Sequence, residues 1–480
     1  MDLEPFFAIE KKYGLLEENI DGFFFWIYAR AEVCWYIRDR IYKHDAAFPQ
    51  EKKTFIQKSV LRAKMIYNAM FHGYKKRGKY DVIVLNSPRK VWAGNYFECI
   101  YTDDIVKELK SAVVLEQLVD QKHYKPVNTP NLFYLDNLEA LSQLRYYFYK
   151  FFKKKQFAAI ENQIYGKMNE PLQQFALAYG VEINCNDIIN IMMPKLYKYQ
   201  SMKNIYNRMI RRIMPKVILE VNSDAMHCMV MTEVAKEHEI PVVELQHGIM
   251  GQEHIVYNYP PNVAIKQFPD YLFVFSDFWK LGNGCPIPDK NIIPVGFPYL
   301  EKQKSKYPPN KESGKTVLLF LSQGMVSKQF AQMAIELVDS LNMDNYKIVF
   351  KLHPGEYSTW KERIGELQGI KGIEVIDNSE KSIYEFLAMA DVQIGYISTA
   401  IYEGLSYNLD TFIYTQSHNP EMGALIRLGY AREFTSGREL IQLINDREQK
   451  SSESKKPEGF WTSNALNNIK ENLNRLIDGK

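Results

Sequence analysis

The chain has 480 residues, with 60 Lys+Arg against 57 Asp+Glu for a net charge of +3, 46% hydrophobic residues and 24% charged ones. At roughly 150 residues per domain this is a globular protein of two or three domains, and the balance argues against wholesale disorder and against a generic polyanion binder. Five cysteines, at 34, 99, 185, 228 and 285, show no metal-ligand spacing; this fits free thiols in a reducing compartment rather than a disulfide framework or a zinc site.

Asp2 and Glu4 stand where a secretory signal would carry basic residues, so a cytoplasmic location is expected. Residues 1–75 read as helical, with Ile27, Ala31, Cys34, Ile37 and Ile41 at helical spacing. The longest apolar run, Phe23–Ala29, is cut by Arg30, well short of the roughly 20 residues a membrane span needs. Tyr80–Asn86, Val113–Leu115 and Leu132–Leu135 read as buried strands with helical stretches between them. After residue 216 the alternation sharpens, with strands Val217–Val221, Pro241–Leu245, Tyr271–Phe275 and Ile292–Val295, and a helix from Asp224 to His238.

Glu301–Lys315 is polar, contains Pro308-Pro309 and Gly314, and reads as a linker. Strands then restart at Thr316–Leu321, Lys347–Lys351, Ile373–Ile376, Val392–Ile394 and Thr411–Tyr414, and Lys450–Pro457 is a second polar break before a terminal amphipathic helix. The expected organisation is a helical segment 1–75, an α/β acceptor domain 76–302 with a basic helical insertion at about 141–216, an α/β donor domain 316–450 and a terminal helix 458–480. Open α/β sheets bind ligands beyond the carboxyl ends of their strands, so two facing sheets would form a cleft for two substrates.

Three motifs follow strands. Gln246-His247-Gly248 ends the Pro241–Leu245 strand, where a neutral His247 suits a base that accepts a proton from a hydroxyl; the competing reading is a histidine that only caps the strand. His254 lies in the same loop. Lys351-Leu352-His353-Pro354 ends a strand of the second half, and Pro354 pushes His353 into an extended conformation from which it can hold a phosphate oxygen. Ser398-Thr399 opens a short helix whose first turn suits an anion, with Glu403 one turn on for a ribose hydroxyl; plain helix capping is the alternative.

Together the three motifs resemble the GT-B-fold transferases of bacterial surface-polymer synthesis, above all the CDP-glycerol polyol-phosphate transferases and the CMP-sugar capsule transferases. Gln246-His247-Gly248 is similar to their His-Gly base motif, His353-Pro354 to their donor-phosphate His-Pro motif, and Asp391 through Ser398-Thr399 to their Asp-led strand and hydroxyl pair. Ile293–Glu301 resembles the end of their first domain. The likeness covers about residues 217–420, and it departs at Gln246, where those transferases carry Trp, and at Tyr396-Ile397.

The resemblance implies a GT-B-like α/β fold: two Rossmann-like domains facing a cleft, with a helical N-terminal extension. It implies a glycosyltransferase that moves a sugar from a nucleotide-activated donor to a hydroxyl of a surface glycan or lipid-linked acceptor. His247 would be the base, with Gln246, Gly248 and His254 on the acceptor side. His353, Ser398, Thr399, Glu403 and Lys351 would hold the donor. No acidic pair stands at a strand end of the donor half, so no metal and no cofactor beyond the nucleotide donor are expected. A polyol-phosphate transferase, a nucleotide-sugar epimerase and a non-catalytic membrane-docked scaffold are the alternatives.

The near-zero charge conceals a patch. Residues 141–216 carry 13 Lys/Arg and 4 Asp/Glu, a net of +9 that leaves −6 for the rest. Residues 145–155 and 195–212 interleave bases with aromatic and apolar residues, which suits an anionic membrane surface at the inner face of the cell membrane. For 195–212 the competing reading is a helix whose apolar face packs on the sheet. No nucleic-acid motif is present, so no such partner is expected.

Overall fold

The computed structural model describes residues 1–42, 54–74, 78–87, 89–118, 123–251, 254–280, 284–311, 314–415, 420–449 and 459–479; the polar break at Lys450–Pro457 lies outside them. Among the described residues there are two compact units, one built from 1–42, 54–299 and 462–479, the other from 300–461.

The first unit opens with α1 (Glu4–Tyr13), α2 (Phe25–Tyr42) and α3 (Phe55–Phe71). Gly14 ends α1 in the left-handed region, and a Thr54–Gln57 capping box starts α3. Helix α2 is apolar around most of its first half, and residues Phe25 to Arg30 are all buried. Its one buried charge is fully provided for. Arg30 Nε lies 2.6 Å from Glu10 Oε1, Nη1 and Nη2 donate to the carbonyls of Ile255 (2.6 Å) and Asn258 (2.9 Å), and the guanidinium sits 4.1 Å from the Tyr259 ring centroid. The N-terminal helices are thereby fixed to the backbone of the loop that follows His247.

There follow β1 (Val82–Leu85), β2 (Lys90–Trp92), β3 (Phe97–Cys99), α4 (Asp103–Glu108), β4 (Ala112–Glu116) and β5 (Leu132–Tyr134). Three long helices, α5 (Asp136–Phe152), α6 (Lys154–Tyr179) and α7 (Cys185–Ile213), lead to β6 (Val217–Val221), α8 (Met226–Glu237), β7 (Val242–Leu245), β8 (Tyr271–Val274) and β9 (Ile292–Pro294). Seven of these strands form one parallel sheet in the order β5-β4-β1-β6-β7-β8-β9, while β2 and β3 form a separate antiparallel pair. Strands β1, β4, β6 and β7 are buried along their whole length, which is why they read as largely apolar runs, with one Glu in each of β4, β6 and β7.

The second unit contains α9 (Pro298–Lys306), β10 (Thr316–Leu321), α10 (Ser327–Ser340), β11 (Tyr346–Lys351), α11 (Trp360–Arg363), β12 (Ile373–Ile376), α12 (Ile383–Met389), β13 (Val392–Gly395), α13 (Thr399–Leu405), β14 (Asp410–Tyr414), α14 (Pro420–Arg427), β15 (Arg432–Phe434) and α15 (Gly437–Gln449). Its sheet is parallel in the order β12-β11-β10-β13-β14-β15. Counted along the chain, both sheets run 3-2-1-4-5-6, with a seventh strand at the edge of the first. This is the doubly wound order, and its switch points lie between β1 and β6 and between β10 and β13. Helix α16 (Ala465–Ile477) returns to the first unit and packs on α4.

Two expectations change. The stretch read as a linker begins helical, since α9 runs to Lys306. The membrane assignment of 195–212 is overturned: this segment lies within α7, and Leu196, Tyr199, Met202, Tyr206, Met209 and Ile213 are all buried. Three of its lysines are paired, Lys195 with Glu32 (2.9 Å), Lys198 with Glu139 (3.0 Å) and Lys203 with Glu233 (2.8 Å). Helix α5 differs, since Leu144, Tyr147, Phe148, Phe151 and Phe152 are exposed on it. No helix among the described residues is long and apolar enough to cross a membrane.

Candidate functional site

In the first unit the chemistry gathers beyond the carboxyl end of β7. Gln246 is buried, and both ends of its amide hold the turn: Oε1 accepts from Phe275 N (2.7 Å) and Nε2 donates to the Gly248 carbonyl (2.9 Å). This ties the turn to the end of β8 and fixes where the next side chain begins. His247 leaves about a quarter of its side chain exposed, and its carbonyl accepts the Tyr101 hydroxyl at 2.6 Å.

His247 Nδ1 lies 3.6 Å from Oε1 of Glu244, a fully buried carboxylate. Glu244 Oε1 also accepts from Tyr257 Oη (2.8 Å) and Ser223 N (3.2 Å). Glu244 Oε2 and His247 Nδ1 are buried and have no hydrogen-bond partner. Glu244 pairs in register with Glu220 of β6, and Thr232 Oγ1 donates to both Glu220 oxygens at 3.1 Å. Burial, reinforced by Glu244, pushes Glu220 well above the usual carboxylate range.

Two further groups share this environment. Burial raises Asp224, at the start of α8, while His247 pulls it the other way. Burial, aided by His247, lowers His254 to about 4. His254 is thus a neutral imidazole at pH 7, with its backbone bonded to Gly251 and Asn258. Of the expected residues, the structure brings His247 and His254 together. It adds Glu244, Asp224 and Tyr101, which the sequence reading missed. A Glu within each of two otherwise apolar strands, VILEV and VVEL, was the available signal.

In the second unit the expected donor residues lie at the carboxyl ends of β11 and β13, with β10 between them. His353 is exposed and caps the turn after β11: its Nδ1 accepts from Gly355 N (3.1 Å), which in the neutral ring leaves the proton on Nε2. Its own N–H donates to Glu356 Oε2 (2.9 Å), and Glu356 Oε1 accepts from Ser322 Oγ at the end of β10 (3.1 Å). Burial raises the Glu356 carboxyl. Ser398 caps α13 by accepting from Ala400 N at 3.2 Å, and Thr399 is the first residue of that helix. Gln323 spans the switch point, its amide bonded to both the N–H and the carbonyl of Ile397.

Lys351 and Glu403 are placed differently. Lys351 is buried, and its three donors meet the Leu352 carbonyl (3.2 Å), the Tyr357 hydroxyl (2.6 Å) and the Asn378 carbonyl (3.1 Å). An ammonium has three N–H bonds, and all three are taken within the unit. Glu403 is buried on α13, with its backbone carbonyl accepting the Ser406 hydroxyl. Among the described residues no group of three or more His, Cys, Asp or Glu is placed to hold a metal ion.

No protein-family model and no curated protein matches the sequence. Solved structures do match in fold. The UDP-GlcNAc 2-epimerase of Methanocaldococcus jannaschii is 12% identical over 82% of this chain and 99% of its own, with a TM-score of 0.50. A Listeria monocytogenes protein proposed to be a UDP-N-acetylglucosamine 2-epimerase is 11% identical over 84% of this chain and 98% of its own, also at 0.50. The wall teichoic acid polymerase TagF is 10% identical over 89% of this chain and 99% of its own, with a TM-score of 0.45, too low to bear on the reading. At these identities the likeness defines the fold. The chain has a GT-B-like fold, with two parallel α/β sheets and a helical N-terminal region.

Proposed function

We propose that this chain is a metal-independent glycosyltransferase that moves a sugar from a nucleotide-activated donor to a hydroxyl of a surface glycan or lipid-linked acceptor. The observation that carries the proposal is the Glu244–His247 pair: an imidazole at a strand end, partly exposed, backed at 3.6 Å by a fully buried carboxylate. A base must be open to its substrate on one side and supported on the other when it gains a proton. Glu244 supplies that support, and Gln246 fixes the turn that aims the ring.

On the donor side, phosphate oxygens would meet His353 Nε2–H, the Thr399 hydroxyl and backbone N–H groups at the switch point between β10 and β13. Ligands of doubly wound sheets bind at such switch points. Glu403 would meet the ribose from its place on α13, while the buried Lys351 would brace the His353 turn from behind. The exposed aromatic face of α5, with Lys150 and Lys153–Lys155 beside it, would hold the protein to an anionic membrane at the inner face of the cell membrane.

The test is thermal unfolding in the presence of CMP, CDP, UDP or GDP, followed by product analysis with and without a hydroxyl acceptor. A specific nucleotide should raise Tm in a concentration-dependent way, since a ligand of the native state stabilises it by mass action. Transfer should then require the acceptor. No stabilisation by any of the four would reject the donor half of the proposal. Turnover of the nucleotide sugar without acceptor would replace transfer by epimerisation.

A further inference from the structure

The first unit contains two adjoining cavities of about 390 and 620 Å³ that share four wall residues, Gln117, Pro194, Lys198 and Met202. Both fall in the size range of small-molecule sites, roughly 300–1,000 Å³. Both are partly open to solvent, so a ligand can enter them from outside.

The larger cavity is walled mainly by apolar groups from α3, α5 and the segment between them, among them Leu61, Met65, Leu118, Leu138, Tyr146 and Tyr147. The same two helices pack together and carry exposed apolar side chains, including Ile66, Met70 and Phe71 on α3 and Leu144, Phe148 and Phe152 on α5. Lys150 and Lys153–Lys155 stand exposed at the end of α5. A surface that is both apolar and basic complements a lipid layer with anionic headgroups.

The smaller cavity is more polar, and reaches Glu32, Lys195, Ser223 and Asp224. Two polar atoms in these walls have no hydrogen-bond partner: Ser223 Oγ in the smaller cavity and His227 Nδ1 in the larger. Their residues are only 3% and 5% exposed. Buried polar atoms are nearly always satisfied, so the Ser223 orphan in the smaller cavity points to a ligand head that brings hydrogen-bonding groups. Ser223 and Asp224 also adjoin the base. Ser223 N donates to Glu244, and Asp224 lies within electrostatic reach of His247.

The geometry points to a site for an amphiphilic acceptor, whose aliphatic chain lies in the larger cavity between α3, α5 and α7 and whose hydroxyl-bearing head lies in the smaller one, at Ser223 and Asp224. This deepens the acceptor half of the proposed function by selecting a lipid-linked acceptor over a free glycan. The chain enters from the apolar face of α3 and α5, and the head faces the loop that carries His247.

The experiment is an equilibrium titration of the full chain with a dansylaminododecyl glucoside and with its dansylaminobutyl counterpart, both below micelle formation. The dodecyl probe should bind at one saturable site, at least about tenfold more tightly than the butyl probe, because the added methylenes leave water. Ser142→Phe places a ring in the larger cavity from α5 and should weaken the dodecyl probe by about tenfold or more. Met65→Trp does the same from α3, so the test survives if one variant does not fold. Leu177→Ser, an exposed position of α6 that lines neither cavity, should leave affinity within about twofold.

Equal affinity for the two probes would overturn the inference. So would wild-type affinity in both folded cavity-filling variants, or an equal loss in Leu177→Ser. Nucleotide stabilisation is recorded on the same samples. Chain-length-dependent binding without any nucleotide response would leave this site standing and reject the transferase reading. A nucleotide response without chain-length dependence would do the reverse.

Discussion

Glu244 and His247 stand three residues apart on either side of the turn that ends β7, with Oε1 and Nδ1 3.6 Å apart. The carboxylate is fully buried, and beside it in register lies Glu220, also fully buried. The arrangement separates two acids by role. Burial and its neighbour push Glu220 above the usual carboxylate range, while Glu244 gathers the donors of Tyr257 and Ser223 and faces the imidazole.

His247→Ala should lower kcat by about 10²–10⁴, the usual contribution of a general base, while the nucleotide-induced rise in Tm persists. Glu244→Gln should lower kcat by about tenfold with donor KM unchanged, because it acts through the ring rather than on the substrate. Glu220→Gln should leave both constants near wild type, since Glu220 bonds Thr232 and not the imidazole. Steady-state kinetics on the three variants checks this, and a Glu220→Gln effect as large as that of Glu244→Gln would remove the distinction.

The His353 and Lys351 variants should part company. His353→Ala removes a donor to phosphate, and a hydrogen bond to a charged group contributes about 1.5–3 kcal/mol. Nucleotide affinity by calorimetry should therefore fall by roughly 10- to 150-fold. Lys351→Met instead breaks three internal hydrogen bonds, so Tm should fall while nucleotide affinity in the remaining folded protein stays within about threefold.

His123 gives a pH prediction. Its Nδ1 lies 2.8 Å from Glu116 and its Nε2 2.7 Å from Asp136, and the ring stacks on Tyr134 at 3.5 Å. Burial pulls the imidazole down, but the hydrogen bonds to Asp136 and Glu116 outweigh it and its pKa is raised. The native state therefore holds this proton longer than the unfolded chain does. Its stabilisation is complete below about pH 6.5 and is lost as pH rises through the folded value. Tm should fall with pH above neutrality in the wild type, and the slope should flatten in His123→Gln. A wild-type slope in that variant would assign the effect to another group.

Helix α5 should carry any attachment to lipid. Each Lys near an anionic surface contributes about 1 kcal/mol, so Lys150→Gln, Lys153→Gln, Lys154→Gln and Lys155→Gln together should lower partitioning onto phosphatidylserine vesicles by roughly a thousandfold. Phe148→Ser with Phe152→Ser should lower it even at high salt, where charge is screened. Arg211→Gln on α7, a helix whose apolar face is buried, should have a much smaller effect. Vesicle sedimentation measures all three.

Arg30 and Glu10 form a pair that can be removed whole but not halved. Arg30→Ala leaves a buried carboxylate without its partner and should destabilise the first unit by about 3–5 kcal/mol. Arg30→Met with Glu10→Leu should recover much of that loss. Denaturant titration of the single and double variants tests this.

Much of the parallel architecture was legible because strands covered on both faces must be largely apolar, and VIVL and TVLLFL meet that demand without help from context. The β2–β3 hairpin was not legible, since Lys90–Trp92 and Phe97–Cys99 are short and only partly buried. Helix α9 was hidden in a polar run, although Pro298 suits a first helical position and Glu, Lys and Gln are good helix formers. The face of α7 was ambiguous by nature, because a helix bound to lipid and a helix packed on a sheet share one periodicity. His247 could be found from its place after a strand. Its partner Glu244 was visible only as a lone Glu in an apolar strand, because only the fold sets that carboxylate beside the ring.

The return of the chain at Thr462 has a consequence for biosynthesis. Thr462 N donates to the Phe275 carbonyl (2.8 Å) and Asn468 Nδ2 to that of Val295 (3.1 Å), and a Cβ at Gly296 would stand 2.1 Å from the Thr462 carbonyl oxygen. The segment that completes the first unit is therefore made only after the second unit has been translated. A ribosome would release residues 300–461 as one continuous stretch able to fold during synthesis, while the unit begun earlier waits for α16. A nascent chain arrested before Thr462 should show protease resistance in the later-made unit first, reversing the order in which the two were begun.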